Sequence, residues 1–134
     1  MARKDSSIKQ DRPCPCGSGK LYPQCCGQFL SGQRPDTAEQ LMRSRYTAFC
    51  QNDEDYLLAS WHAKTRPQDL DLSDQRNVKW IGLKVLDHSS QEDTATVEFI
   101  ARFKINGKAE KIHELSRFVK EQGRWLYLEG DNIT

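Results

Sequence analysis

The chain has no unbroken apolar run approaching 18 residues. A helix needs about that length to cross a bilayer, so a helical membrane span is not expected. The first thirty residues hold no apolar stretch of the kind a secretory leader carries. Charge of one sign is not in excess: 20 basic and 19 acidic side chains leave a net +1, which argues against a polyanion or nucleic-acid binder. Internal repeats and low-complexity tracts are missing. With 134 residues, and roughly 100–200 residues per domain, a large multidomain enzyme does not fit. What is left is a soluble protein expected in the cytoplasm, with one domain and room for a small extra module.

The cysteines supply that module. Four of the five, Cys14, Cys16, Cys25 and Cys26, fall within thirteen residues, and Cys50 stands apart. A disulfide framework needs an oxidising compartment, which the missing leader argues against. In a reducing compartment the spacing C-x-C-x8-C-C reads as four soft ligands for one tetrahedral ion. Gly17, Ser18 and Gly19 let the chain reverse, and adjacent Cys25 and Cys26 close the site. Four protein ligands leave no position open for water, so the expected cofactor is one structural Zn2+, with iron the alternative. Backbone amides and Lys20 are expected to balance the excess negative charge. The bland alternative is four free thiols in a floppy tail. Residues 1–35 carry net +4 and residues 36–134 net −3, so the basic N-terminal segment is either a solvated tail or a steering surface for an acidic partner.

Along the chain, residues 1–12 read as a flexible tail, 13–27 as the metal module, 28–35 as a linker and 36–134 as an α+β domain. Asp36 with Glu39 suggests a helix start, and Ala38, Leu41, Met42, Ala48 and Phe49 keep helical spacing. Cys50 beside that stripe reads as a structural thiol. Asn52-Asp53 breaks this helix and caps a short second one, and residues 65–75 read as a loop. Strands follow. Lys79–Leu86 is apolar on much of both faces, Asp87–Asp93 is polar turn, and Thr94–Ile105 alternates. Asn106-Gly107 marks a two-residue hairpin. Glu110–Lys120 and Arg124–Glu129 complete a meander, with a three-residue loop at 121–123. Helices on one face of a curved antiparallel sheet should enclose a wedge-shaped cavity. The module is expected to be ordered by its ion alone, apart from the domain's own apolar core.

Hairpin register gives a candidate pocket. The 106–107 turn pairs Phe99 with Glu114, which places Glu114 and Ser116 on the apolar inner face. Trp61 and His62, from the helical layer, complete the candidate set. Glu114 there is either half of a structural pair with Arg43, Arg45, Arg66 or His62 arriving from the helical layer, or a pocket carboxylate, able with His62 to do acid–base work. No nucleophile–base–orienter set assembles, so no catalytic residue is assigned. Trp61, Trp80 and Trp125 read as packing aromatics before ligand stackers. The three-residue loop puts His113, Arg117, Trp125 and Tyr127 on the outer face, with Ile100, Leu115 and Val119. That face is apolar enough to suggest a homodimer through the sheet.

Cys14-Pro15-Cys16-Gly17-Ser18-Gly19-Lys20 followed by Cys25-Cys26-Gly27 resembles the SEC-C motif, the zinc module also found at the C-terminus of the SecA preprotein translocase. Residues 35–48 (PDTAEQLMRSRYTA), Trp61-His62 with Thr65-Arg66-Pro67, and His113-Glu114-x-Ser116-Arg117-Phe118 resemble the bacterial YchJ-like family. The resemblance covers about residues 12–130. It implies a SEC-C motif followed by a nuclear-transport-factor-2-like, cystatin-like cone. Some members carry a second SEC-C motif at the C-terminus; here no cysteine follows Cys50. By analogy the likeness implies a protein-interaction adaptor whose zinc motif binds a protein partner, linked to protein export or the ribosome. The alternative function is a small-molecule-binding domain or minor enzyme using the cavity.

Overall fold

A computed structural model describes residues 12–70 and 78–133. Residues 1–11 of the expected tail and 71–75 of the expected loop lie outside the described residues. The architecture is α+β. A 3-10 turn, Tyr22–Gln24, leads into α1, Cys26–Leu30; α2, Ala38–Gln51, and α3, Glu54–Ala59, follow. Four strands, β1 (Val78–Gln91), β2 (Thr94–Ile105), β3 (Lys108–Glu121) and β4 (Arg124–Asn132), form an antiparallel meander in chain order.

Helix α2 starts one residue later than Asp36 suggests. Thr37 is the cap, its hydroxyl accepting from Gln40 N at 3.1 Å, while Gln40 Oε1 takes Asp36 N at 2.7 Å. Asn52 ends α2 in the left-handed region (φ 57°), and the Asp53 side chain caps α3. The apolar stripe of α2 (Leu41, Met42, Tyr46) meets Ala95, Val97, Phe99 and Ala101 of β2, with Phe118 and Trp125. Trp80 closes the far side edge-on to Tyr46, ring centroids 5.7 Å apart. All three tryptophans take part in aromatic or core packing.

Three expectations need correcting. Asp87–Gln91 is strand rather than turn, and only Glu92-Asp93 reverses the chain. Residues 28–35 are not a free linker, because the first three complete α1 and Phe29 is buried. The 121–123 loop is a two-residue turn, Gln122-Gly123, with both residues at positive φ. The register then shifts between Arg117 and Phe118, so Phe118 pairs with Tyr127 and Ser116 with Gly130. That one-residue difference turns Trp125 and Tyr127 onto the inner face. Trp125 is 5% exposed. The outer face loses the two largest apolar groups on which the homodimer expectation rests.

His113 and Arg117 do lie on the outer face. His113 Nε2 is 2.7 Å from Glu98 Oε2, and Arg117 spans Glu129 (3.2 Å) and Asp131 (2.8 Å). Arg117 holds the Asp131 carboxyl below its ordinary range, chiefly by hydrogen bonding. This contact is present above the ordinary Asp range and is lost as pH falls through the depressed folded-state value. Arg117→Ala, or acidification, should therefore lower the amide-exchange protection factors of residues 129–132, each taken against the intrinsic rate at its own pH, without changing the fold. Unchanged protection would remove the pin.

Candidate metal centre

The cysteines are placed by two turns. Pro13 and Leu21 bridge as antiparallel partners, closing a loop in which Gly17 adopts φ 80°. Cys14 N donates to Lys20 O at 2.9 Å. On the return, Cys25 N bonds to Tyr22 O and Cys26 opens α1. Gly27 is required here: a Cβ would lie 2.8 Å from Tyr22 O and 3.0 Å from its ring.

This brings all four thiols into one buried cluster, with ligand atoms within 4.8 Å of one another. Cys16 and Cys25 sulfurs are 3.6 Å apart. A tetrahedral ion with sulfur at about 2.3 Å needs edges of about 3.8 Å, so the donor set fits with only small adjustment. Cys16 has the most stable thiolate, since Cys14 and Cys26 donate to it. Those hydrogen bonds keep the protons on the donors, pushing Cys14 up to about 11 and Cys26 higher still. A divalent cation would displace those protons, so that all four sulfurs would bind it as thiolates.

The surroundings supply what sequence reasoning missed. Arg43 reaches from α2, its guanidinium 2.8 Å from Cys16 O and 3.9 Å from Cys16 Sγ. Glu39 holds Arg43 at 3.0 Å, and His88 on β1 holds Glu39 at 3.1 Å. Thr47 Oγ1 lies 3.8 Å from Cys14 Sγ, and Gln51 donates to the Tyr22 hydroxyl. The i, i+4 pair Glu39/Arg43 and the polar Thr47 within the α2 stripe were the available signals. The four cysteines share one buried cluster with Leu41, Val97 and Phe118, so the module is docked on the domain. Cys50 is half-buried, and burial pushes its thiol up to about 12, which suppresses reactivity.

The candidate pocket residues divide. Glu114 and Ser116 meet: Ser116 donates to Glu114 Oε2 at 2.7 Å, and the carboxylate lies over Gly130, where a Cβ would collide with it. Burial, and then the nearby Glu114 carboxylate, push the Tyr127 hydroxyl up to about 12. Trp61 packs edge-on to Tyr127 at 5.1 Å. His62 is not brought to Glu114, because it turns to Glu121 at 2.7 Å. Arg45, one of the arginines expected to be able to pair with Glu114, is 4% exposed; it donates to Leu57 O and Ser60 Oγ and lies over the rings of Trp61 and Tyr127.

The family model described as the YchJ middle NTF2-like domain matches residues 37–130. A UPF0225 protein of Bordetella pertussis is 52% identical, the match covering 88% of this chain and 91% of that one. A UPF0225 protein of Cupriavidus metallidurans is 50% identical over 98% and 96% of the two chains. The solution structure of a SEC-C motif containing protein from Rhodopseudomonas palustris superposes with TM-score 0.83 at 37% identity, covering 90% of this chain and 98% of that one. A crystal structure of a SEC-C motif containing protein from Psychrobacter arcticus gives TM-score 0.74 at 30% identity, with 93% and 85% covered.

Proposed function

The chain belongs to the YchJ-like family of UPF0225 proteins, and from that premise we propose that it is a zinc-bearing protein-interaction adaptor working in the cytoplasm. The observation that carries this reading is the closed, buried four-cysteine cluster. Its four sulfurs would complete the coordination of a tetrahedral ion, which would hold shape and leave no open position for substrate. Zinc suits four thiolates without bringing redox chemistry. When bound, it supplies the cross-link that holds the Cys14–Cys16 turn against Cys25 and Cys26.

The module's rim supports a partner. Leu21 is 41% exposed, one of three large apolar side chains so exposed among the described residues, and its neighbour Lys20 and nearby Arg12 are exposed cations. An apolar contact ringed by cations suits a protein surface of acidic character. By analogy with the SEC-C motif of the translocase, the partner search starts with protein export and the ribosome.

The test uses the full chain as bait, with cross-linking and mass spectrometry. Leu21→Glu should lose the main cross-linked partner while keeping full metal content, and Lys108→Glu on the distant β2–β3 hairpin should keep it. Equal recovery by both variants would place the interaction away from the module.

A further inference from the structure

A cavity lies where α1 and its following loop meet α3 and β4, and it goes beyond the adaptor reading. It measures about 240 Å3. Phe29, Leu41, Tyr56 and Trp125 are among its lining residues, and Arg34 and Arg124 belong to the same wall. Among the described residues, no acidic side chain lines it.

The two arginines differ in how they are held, and neither makes an ion pair among the described residues. Arg124 is oriented by a bond to Ala59 O at 2.8 Å. Its cross-strand neighbour Glu121 is engaged by His62 instead. The exposed Arg34 side chain makes no ion pair or hydrogen bond among the described residues. The floor is apolar and ordered: Leu41 is 1% exposed, and the Tyr56 hydroxyl is tied to Ser44 Oγ at 2.6 Å. A wall with two guanidinium groups free of ion pairs beside a buried aromatic floor is complementary to a ligand with an anionic end and an apolar body.

We propose that this cavity binds a small monocarboxylate with an apolar body, the carboxylate on Arg34 and Arg124 and the body against Phe29, Leu41 and Trp125. The volume lies below the roughly 300–1,000 Å3 of pockets for drug-sized ligands, which suits one ring or branched chain with a short acidic tail. The planar guanidinium fork of each arginine matches carboxylate geometry, and the apolar floor discriminates against acetate, which has almost no body to bury.

The experiment is a titration of the isotope-labelled, metal-replete full chain with 3-phenylpropionate, followed by two-dimensional amide and indole NMR. Acetate and the neutral 3-phenylpropanamide are the comparison probes. The expected result is saturable shifts at the Trp125 indole and the Arg34 and Arg124 signals, with both comparison probes binding at least about tenfold more weakly. Arg34→Gln should weaken 3-phenylpropionate about fivefold or more and leave the rest of the spectrum native. Equal binding of the amide, equal binding of acetate, shifts centred elsewhere, or no saturation would each overturn the proposal. Arg124→Gln is a second variant, with the resonances of α3 reporting whether the lost bond to Ala59 disturbs the wall. None of these outcomes depends on whether the Leu21 rim binds a partner.

Discussion

Removal of the metal should lower the main thermal transition by about 12 °C or more, and should not merely loosen the N-terminus. The four cysteines are core residues: Cys16 and Cys26 are fully buried, and the cluster runs on through Leu41 and Tyr46 to Val97, Phe118 and Trp125. Apparent binding energies of structural zinc are about 10–16 kcal/mol, of the same order as the whole stability of a domain. Even if only about 4 kcal/mol reaches the folding equilibrium, at about 3–5 °C per kcal/mol the transition falls by that amount. The losses have named routes. Without the cross-link, Arg43 and Thr47 on α2 and Gly17 under Leu83 O lose a fixed partner surface. The measurement is calorimetry before and after chelation, with elemental analysis giving identity and stoichiometry. Cys26→Ser should reproduce the chelated transition. An unchanged transition in protein verified as metal-free would show that the module is held by packing alone.

That result opposes the expectation drawn from sequence, and the reason is physical. Ligand spacing is local, so C-x-C-x8-C-C announces the cluster from a few residues. Docking of the module on α2 depends on Arg43 reaching Cys16 across 27 positions, which no local pattern encodes. The same contrast runs through the sheet. Asn106-Gly107 is a strong two-residue signal, and the Phe99–Glu114 pairing read from it is the pairing observed. Gln122 carries no such signal, because it takes φ 54° without being Asn, Asp or Gly. The turn is therefore one residue shorter than composition suggests, and the bulge opposite Arg117–Phe118 takes up the extra residue. A slip of one position put Trp125 and Tyr127 on the wrong face, and with them the aromatic cage around Arg45. Arg45 itself was legible only as one of several arginines able to reach Glu114, since helical periodicity does not mark a buried cation inside an apolar stripe.

Arg45 is the site of the second large effect. Its side chain sits almost wholly out of water, and burial pushes the guanidinium down to about 10, still charged at neutral pH. Two neutral oxygens, Leu57 O and Ser60 Oγ, take one of its nitrogens, and Trp61 and Tyr127 face its plane at 5.0 and 4.4 Å. Glu114 supplies a favourable charge on the same face. These groups key α2 to the end of α3, and the chain after α3 to β4, where Tyr127 N bonds Ser60 O and His62 N bonds Tyr127 O. Arg45→Ala should cost about 3–5 kcal/mol, from the cavity and the unpaired acceptors. Arg45→Met fills the volume without the charge and should cost distinctly less. Glu114→Ala should cost about 2–3 kcal/mol, because it removes the charge near Arg45 and the acceptor of Ser116. Glu114→Gln keeps the shape and should fall between wild type and Glu114→Ala. Denaturant melts of the single variants and of Arg45→Met with Glu114→Gln complete the cycle. Coupling of about 1 kcal/mol or more marks the two as one structural unit. Additivity within about 0.5 kcal/mol would separate them and leave Glu114 free of the structural role.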